Sequence, residues 1–454
     1  MSLVLPPQRN ENAAISYLLN LKNRHLFISV RKDNPMTIFE QRESEIRGYS
    51  RVYPVVFKTA KNARQTDEDG KEYIDFFAGA GVLNFGHNNT RMTEAMIDYM
   101  QNDGVLHSLD MQTTAKAEFM QAFTETILKP RNMPHKMQFM GPTGTNAVEA
   151  AMKLARRATG RKNIVAFSHG FHGMTLGALA ATANEYFRGA SGVPLDHVSH
   201  EAFDGENDKV DSLALLDALR ERYLDPSSGL EKPAAFLLET VQAEGGVNVA
   251  SKEWMQAVAA LAEELGSVLI VDDIQVGCGR TGSYFSFDDL DIEPGIVCLA
   301  KGVGGIGTPM AVNLVHPELD EHWKPGEHTG TFRGQNLSFI AGKVALDYFK
   351  DSALMDEVKA KTEFMRESLQ TLLQSDSSLE LRGKGMIMGL DVGDGPRAAA
   401  IVKQCFADGL IVAGCGTGGR VIKLIPPLTI PQEDLTAGLN ILINAARRVL
   451  EKAA

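Results

Sequence analysis

Two short apolar segments of the sequence each end on residues that could take part in catalysis. Ser267–Val271 is followed directly by Asp272 and Asp273. Gly295–Ala300 is followed by Lys301. An apolar run with polar residues at its carboxyl end is typical of a buried parallel strand, and open α/β sheets bind ligands at that edge. A lysine there could form a Schiff base with an aldehyde cofactor, and a carboxylate one strand away could bind a pyridinium nitrogen. Alternatively, Asp272 caps a loop and Lys301 is merely exposed.

The sequence around these residues alternates between strand-like and helix-like segments. The strand-like segments are KMQFM, NIVAF, AAFLLE, SVLIVDD, GIVCLAK and AVNLV. Helical spacing occurs over Thr90–Asn102, Thr114–Leu128, Asn146–Thr159, an Ala-rich stretch from Leu176, and Glu253–Leu265. Such alternation predicts an α/β fold built from βαβ units around a mostly parallel sheet.

The pattern changes at both ends of the chain. After a helix over Leu337–Tyr348, charged and short apolar segments predict a separate α+β domain with helices over Leu354–Leu373 and Ala398–Asp408. Near the N-terminus, MTIFEQRESEIRGY has the pattern of an amphipathic helix, and the strands that follow turn at Glu68–Gly70. We therefore predict an N-terminal extension (1–35), the N-terminal part of a small domain (36–85), a large cofactor-binding domain (86–336) and a C-terminal small domain (337–454).

Composition narrows the class of protein. With 454 residues, 44% of them hydrophobic and 23% charged, the chain resembles an ordinary soluble globular protein of two or three domains. A net charge of −11 argues against nucleic acid or an anionic membrane as a partner. No apolar run approaches the roughly 18 residues that span a bilayer, and the N-terminus lacks the features of a signal peptide. The four cysteines show no CxxC spacing, which is typical of reduced thiols and predicts a cytoplasmic location.

Further motifs follow the predicted strands. The sequence GPTGTN at residues 141–146 could bring backbone N–H groups at a helix N-terminus close to a phosphate, or it could be a routine helix cap. Phe171 could stack on a heteroaromatic ring or belong to the core. Glu239 and Glu244 could interact with a cationic group or be surface residues. Together with Lys301 and an acid for a ring nitrogen, these residues describe a pyridoxal phosphate site at one edge of the sheet.

Other cofactor motifs are absent or lack the right context. The glycine patterns at 302–307 and 414–419 precede strand-like segments, whereas a dinucleotide-binding fingerprint requires a helix at that point. His169 and His172 have spacing suited to a metal but no acidic or cysteine partner nearby, so we expect no metal site.

At the level of motifs, the sequence resembles the class III, or omega-type, aminotransferases of the fold-type I pyridoxal phosphate enzymes, from about Met36 to the C-terminus. The motifs that carry the resemblance are GPTGTNAVEAAMKLAR, FHGMT, LLETVQAEGG, VDDIQVGCGRTG, LAKGVGG, GTFRGQN and PPLTI, in family order. The resemblance implies a large domain with a mostly parallel seven-stranded sheet and a smaller α+β domain.

The resemblance also implies roles for individual residues. Lys301 would be the Schiff-base lysine and proton shuttle, and Asp272 would bind the pyridine nitrogen. Thr331 would reach the phosphate of a neighbouring subunit, which implies a homodimer with shared active sites. The cofactor contacts would be Gly144, Thr145, Phe171, His172, Asp272, Ile274, Gln275, Lys301 and Thr331.

Within the class, IFEQRESEIRGYSRVYPVVF and FFAGAGVLNFGHNN resemble the 2,4-diaminobutyrate:2-oxoglutarate aminotransferases, including ectoine-pathway enzymes. Two positions depart from the general class pattern, because Met174 and Lys423 replace arginines that relatives use for substrate carboxylates. We therefore expect transfer of an amino group from L-glutamate to L-aspartate 4-semialdehyde. The expected substrate contacts are Glu239, Glu244, Lys423 and Arg420.

Three alternatives stay open at this point. One is another omega-aminotransferase that acts on 4-aminobutyrate, ornithine or a larger diamine. The second is a pyridoxal phosphate racemase or decarboxylase with the same fold. The third is a non-catalytic binding protein, which the presence of both Lys301 and Asp272 argues against.

Overall fold

The computed structural model describes residues 37–206 and 211–453. The chain divides into two compact units, of which the first ends at Pro54 and the second begins at Val55. The first unit contains helices α1 (Ile38–Arg42) and α2 (Tyr49–Val52). The single amphipathic helix predicted from Met36 onward is therefore wrong. Neither helix buries a residue. Because most of the stability of a short helix comes from packing of its apolar face, a longer helix is not stabilised here. The predicted extension over residues 1–35 lies outside the described residues.

The second unit contains the strands and the remaining helices. In chain order the strands are β1 (Phe57–Lys61), β2 (Arg64–Asp67), β3 (Glu72–Asp75), β4 (Lys136–Phe139), β5 (Ile164–Phe167), β6 (Val198–Glu201), β7 (Ala235–Leu238), β8 (Val241–Gln242), β9 (Asn248–Val249), β10 (Val268–Asp272), β11 (Ile296–Leu299), β12 (Val312–Val315), β13 (Glu380–Lys384), β14 (Ile387–Asp391), β15 (Leu410–Ile411), β16 (Ala413–Cys415) and β17 (Val421–Leu424). The helices are α3 (Ala78–Gly81), α4 (Thr90–Gln101), α5 (Thr114–Phe123), α6 (Gly144–Thr159), α7 (Leu176–Ala181), α8 (Glu185–Arg188), α9 (Ser212–Leu224), α10 (Lys252–Leu265), α11 (Pro317–Asp320), α12 (Asn336–Leu346), α13 (Ala353–Ser375), α14 (Gly395–Ala407) and α15 (Gln432–Ala453).

The central sheet has seven strands in the order β4-β12-β11-β10-β7-β5-β6. Strands β11, β10, β7, β5 and β6 pair in parallel, and β12 is antiparallel to both β11 and β4. The predicted mostly parallel seven-stranded sheet is therefore confirmed. Because β4, β5, β7, β10 and β11 run in one direction, their carboxyl ends meet at the same edge.

Helices cover both faces of this sheet. Alternate residues of β10 point to opposite sides, and Ile270 packs in a cluster with Ala147 and Leu154 of α6. Val271 packs in a second cluster with Trp254 and Val258 of α10. Burial on both faces explains why these strands are continuous apolar runs in the sequence.

The C-terminal part of the chain is an α+β arrangement, as predicted. An antiparallel sheet with the order β13-β14-β17-β16 shares a core with α13, α14 and α15. A further sheet, β1-β2-β3-β15, pairs Ile74 with Leu410, so residues near the two ends of this unit meet. The domain boundaries at residues 85/86 and 336/337 stay a prediction. No helix in the described part of the chain combines the length and apolarity that a membrane crossing requires.

Candidate active site

Asp272 and Lys301 lie at the carboxyl ends of neighbouring parallel strands. Asp272 is the last residue of β10, is buried, and lies opposite Cys298 of β11 in the strand register. Lys301 is half-buried and follows β11 by two residues. The backbone of Lys301 has a φ of 49°, which is unfavourable for a residue with a side chain. Strain of this kind occurs frequently at functional sites.

The electrostatic surroundings of Lys301 favour a neutral amine. Burial is the main reason that its pKa is lowered to about 8, and the charge of Lys423 acts in the same direction. The carboxylates of Glu244 and Asp272 act the other way. A neutral amine is the nucleophilic form, so this environment suits reaction with a carbonyl group.

A buried histidine orients Asp272. The distance from His172 Nδ1 to Asp272 Oδ2 is 2.8 Å, and the Ile274 backbone N–H donates to Asp272 Oδ1 at 3.2 Å. Burial disfavours the charged imidazole, but the hydrogen bond and the charge of Asp272 raise the pKa of His172 overall. The resemblance placed His172 among the cofactor contacts, and the structure shows it as the partner of Asp272.

The two adjacent aspartates, Asp272 and Asp273, have different surroundings. Both carboxylate oxygens of Asp273 accept from the Ser286 backbone N–H at 3.3 Å. Burial raises the pKa of Asp273 to about 7. Asp273 therefore holds the loop that follows β10, whereas Asp272 pairs with His172.

The GPTGTN motif forms the start of α6, as the sequence predicted. Thr143 caps the helix by accepting from the Asn146 backbone N–H at 3.3 Å. The hydroxyl of Thr145 contacts that of Thr175 at 2.7 Å. Gly173, with a φ of 127°, lies so close that a Cβ at this position would overlap Thr145 Oγ1. The backbone at Gly173 therefore packs directly against the first turn of α6. The free N–H groups at this helix N-terminus suit an anionic group.

Phe171 and Glu239 lie together at this edge of the sheet. The ring of Phe171 is half-buried and packs edge-on against Phe187, with 5.6 Å between centroids. Glu239 Oε2 accepts from the Phe171 backbone N–H at 3.0 Å. Burial is the main reason that the pKa of Glu239 is raised to about 7. Glu239 thus holds the backbone of Phe171, a contact that sequence reasoning did not anticipate.

Glu244, Gln275 and Lys423 form a second polar cluster. Lys423 Nζ donates to Glu244 Oε1 and, at 3.0 Å, to Gln275 Oε1, while Gln275 Nε2 donates to Glu244 at 3.2 Å. Lys423 is 1% exposed, so it is no solvated strand residue. Burial favours the neutral form of Glu244, but the charges of Lys423 and Lys301 outweigh it and lower the pKa of Glu244 to about 2.

Arg420 and Met174 lie outside this cluster. The Arg420 guanidinium forms an ion pair with Asp391 at 2.9 Å, and Asp391 also forms an ion pair with Arg382. Arg420 therefore pairs with a different acid from Lys423. Met174 is 48% exposed.

Ile274 lies at the start of α6, whereas the contact recorded for Thr331 is with His107. Ile274 packs against Gly144, where an added Cβ would lie 3.1 Å from the Ile274 side chain. Thr331 is exposed, and its backbone carbonyl lies 2.8 Å from His107 Nε2. The assignment of Thr331 to a neighbouring subunit's phosphate stays a prediction.

The residues at this edge fit pyridoxal phosphate. The N-terminus of α6, with Gly144 and Thr145, suits the phosphate, because backbone N–H groups and a hydroxyl are available there. Asp272 is a buried carboxylate suited to a ring nitrogen, and Lys301 supplies an amine of lowered pKa for the aldehyde. Because Gly173 has no side chain, the segment that carries Thr175 can pack directly against Thr145.

Two further residues at this site were not anticipated from the sequence. Thr175 contacts Thr145, and Glu149 accepts from Thr175 Oγ1 at 2.7 Å. Thr145 and Glu149 are four residues apart in α6, so they share one helix face, and that spacing is the signal that could have indicated the pair.

Comparison with known proteins shows the family of the chain. The model of the family "Aminotransferase class-III" matches residues 47–446. Diaminobutyrate–2-oxoglutarate transaminases from Oceanobacillus iheyensis and Wolinella succinogenes are 46% identical over 422 residues and 49% identical over 420 residues. Each alignment covers 92% of this chain, with 98% and 97% of the respective relative. A crystallized ornithine aminotransferase from Toxoplasma gondii, with partial occupancy of pyridoxal phosphate at its active site, superposes with a TM-score of 0.77 at 25% identity, covering 98% of this chain and 99% of that chain. The chain belongs to the class III aminotransferases.

Proposed function

We propose that this chain transfers an amino group from L-glutamate to the aldehyde carbon of L-aspartate 4-semialdehyde, giving 2-oxoglutarate and L-2,4-diaminobutyrate. The observation that carries the proposal is the 46–49% identity to diaminobutyrate–2-oxoglutarate transaminases over 92% of the chain. The arrangement of Lys301 and Asp272 at the sheet edge supports an active enzyme.

The protein's own residues would bind the cofactor and move protons. Pyridoxal phosphate, when bound, supplies an aldehyde that condenses with amines and a ring that withdraws electrons from the substrate carbon. Lys301 would hold the aldehyde carbon and, once displaced by a substrate amine, carry a proton at its Nζ. Asp272, oriented by His172, would keep a proton on the ring nitrogen.

The choice of substrate rests on Met174 and on the second polar cluster of Glu244, Gln275 and Lys423. Met174 supplies no positive charge where relatives have an arginine, which suits a substrate whose far end is an aldehyde or an amine. Lys423 supplies a point charge without the bidentate geometry of arginine. We propose that Lys423 stays with Glu244 when diaminobutyrate or the semialdehyde binds, and turns to a carboxylate when glutamate binds.

Lys423→Met is expected to weaken the glutamate half-reaction at least about tenfold more than the diaminobutyrate half-reaction. The reason is that only glutamate would lose a charged hydrogen bond to a carboxylate. Loss of the Lys423 charge also changes the surroundings of Lys301, but that effect is common to both substrates. The measurement is the rate of each half-reaction, followed by the absorbance of the cofactor.

Arg420→Met is the matched control for this prediction. Arg420 is three residues earlier and pairs with Asp391, so its loss should leave the ratio of the two half-reactions unchanged. If Arg420→Met changes the ratio and Lys423→Met does not, Arg420 is the residue that holds glutamate. Equal losses in both half-reactions would also contradict the role of Lys423.

The substrate is tested by half-reactions of the purified enzyme with a panel of amines. L-2,4-diaminobutyrate and L-glutamate are expected to convert the cofactor at the highest kcat/KM. Ornithine and longer diamines are expected to react at least about tenfold more slowly, because one extra methylene in a fitted pocket changes kcat/KM by roughly 10–200-fold. 4-Aminobutyrate is also expected to react more slowly, because it lacks the 2-amino group of diaminobutyrate. Preference for one of these other amines would assign the chain to a different omega-aminotransferase.

We also propose a homodimer with shared active sites. An exposed apolar patch lies beside Thr331, and large patches of this kind mark interfaces between proteins. The patch consists of Val105, Leu106, Leu109, Met111 and Phe332, which are 41–62% exposed in the single chain. A second copy covering this patch would bring Thr331 to the neighbouring site.

The proposed location is the cytoplasm. All four cysteines are buried free thiols, and reduced thiols are the usual state in that compartment.

A further inference from the structure

We propose that Glu149 is a positioning residue that acts through Thr175 to hold the Thr145 hydroxyl for the cofactor phosphate. This inference rests on the proposed function, because it assumes that pyridoxal phosphate binds at the start of α6. Glu149 and Thr175 lie within the motifs GPTGTNAVEAAMKLAR and FHGMT, but neither is among the expected cofactor contacts, and each acts only through its neighbours.

Three donors meet at one oxygen of Glu149. Oε1 accepts from Thr175 Oγ1 at 2.7 Å, from Gly177 N–H at 2.9 Å and from Ala178 N–H at 3.1 Å. The carboxylate therefore fixes the segment from Thr175 to Ala178 against the first turns of α6. Because charged acceptors make the stronger hydrogen bonds, this set of contacts holds the segment tightly.

The segment that carries Thr175 packs closely against the Glu149 side chain. Gly177 lies against it so closely that a Cβ at residue 177 would overlap Oε2. Gly173, on the other side, lies against Thr145 in the same manner. The segment that carries Thr175 is therefore packed against both Glu149 and Thr145, with no room for a side chain at either glycine.

The chemistry of the carboxylate sets the direction of the hydroxyl hydrogen bonds. An ionised carboxylate only accepts, so the Thr175 hydroxyl donates to Glu149. The oxygen of Thr175 is then left to accept from the Thr145 hydroxyl at 2.7 Å. The Thr175 backbone N–H donates to Thr145 Oγ1 at 3.3 Å, which holds the oxygen of Thr145 in place.

The consequence for Thr145 is that its hydroxyl acts as a donor. Its oxygen already accepts from the Thr175 N–H, and its hydrogen points to a neutral acceptor that a phosphate oxygen can replace. An ionised phosphate is the stronger acceptor, so a rotation of the hydroxyl hydrogen alone would complete the contact. Glu149 and Thr175 thus prepare Thr145 for the phosphate without contacting it.

The test compares two ligands, pyridoxal phosphate and pyridoxal, which differ by the phosphate group. Glu149→Ala is expected to raise the Kd for pyridoxal phosphate about tenfold or more and to change the Kd for pyridoxal by less than about threefold, since only the phosphate contact is lost. Both constants are measured on the apoenzyme by titration, with the change in protein fluorescence as the signal, so that turnover plays no part.

Conservative variants separate this role from general packing. Glu149→Gln places an amide oxygen where Oε1 lies and keeps all three acceptor contacts, so it should bind pyridoxal phosphate within about threefold of the wild type. Thr175→Val should raise the Kd for pyridoxal phosphate as Glu149→Ala does. Thr175→Ser should have the same Kd values as the wild type, because it keeps the hydroxyl. Glu253→Ala, on the exposed face of α10, is the surface control and should change neither constant.

The outcomes are distinguishable. If Glu149→Ala weakens the binding of both ligands equally, or changes neither Kd, the positioning role is overturned and the proposed function is left intact. If Glu149→Ala does not fold, as judged by circular dichroism, the Thr175→Val and Thr175→Ser pair decides the question in the same way. Failure of the wild-type apoenzyme to bind pyridoxal phosphate would overturn the proposed function, and this inference with it.

Discussion

Lys301→Ala is expected to abolish transamination and to leave the fold intact. The amine that would bind the cofactor's aldehyde and the group that would carry the proton are the same Nζ, so one substitution removes both. A turnover loss of at least about 10⁴-fold follows, which corresponds to roughly 5–6 kcal/mol at 1.36 kcal/mol per tenfold. The variant should still bind pyridoxal phosphate noncovalently, because the start of α6 and Asp272 are unchanged.

Two measurements test Lys301, namely the turnover rate of transamination and the mass of the protein chain after reduction of the bound cofactor. After borohydride reduction the wild-type chain should carry the mass of the cofactor, and Lys301→Ala should not. Lys350→Ala, which removes an exposed lysine paired with Asp347, is the control and should behave like the wild type. Near-normal turnover by Lys301→Ala would show that another lysine does this chemistry.

Because the pKa of Lys301 is lowered, its reaction with the cofactor should depend on pH. With a pKa of about 8, the neutral and reactive amine increases as the pH rises through that value. At pH 7 roughly a tenth of the amine is neutral, far more than for an ordinary lysine with a pKa near 10.4. Cofactor capture by the apoenzyme should therefore rise with pH and level off above pH 9.

Asp272→Asn is expected to lower kcat about a thousandfold or more. A neutral amide cannot keep a proton on the ring nitrogen, and a loss of about 4 kcal/mol of transition-state stabilisation corresponds to that factor. The pKa of His172 should fall as well, because the carboxylate is what raises it. The measurement is the rate of each half-reaction together with the pH dependence of the cofactor's absorbance.

Asp273→Asn is a closely matched comparison for Asp272. Asp273 is adjacent and equally buried, but its carboxylate accepts from the Ser286 backbone N–H, a contact that an amide oxygen can keep. The kcat of the Asp273→Asn variant should stay within about tenfold of the wild-type value. If Asp272→Asn keeps most of its activity, Asp272 serves only to orient the loop through Ile274 and is no partner of the ring.

The strands that carry the site could be predicted from the sequence. Buried parallel strands are continuous apolar runs, so β5, β7, β10 and β11 were visible as such, and the residues at their carboxyl ends marked the ligand edge. The start of α6 was recognisable because glycine and threonine follow a strand and precede a helical pattern. The family motifs then indicated the cofactor and the reaction class, which the comparisons confirmed.

One element predicted from local pattern was wrong. The segment from Met36 to Tyr49 has helical periodicity, but only Ile38–Arg42 is helical before a break. Periodicity indicates a face that could be buried, and helices of this length depend on packing against that face. In the described structure of this unit the apolar residues Ile38, Phe39 and Ile46 are exposed, so the pattern alone did not determine a helix.

The partners within the site were decided by the tertiary structure. The apolar runs and motifs determined which residue types reach the sheet edge, because each follows its own strand. The pairing of His172 with Asp272, of Glu239 with the backbone of Phe171, and of Lys423 with Glu244 joins residues 68 to 179 positions apart. Such pairs depend on strand order, on loop paths and on burial, which strengthens charge interactions and shifts pKa values, and none of these is a property of a local sequence window.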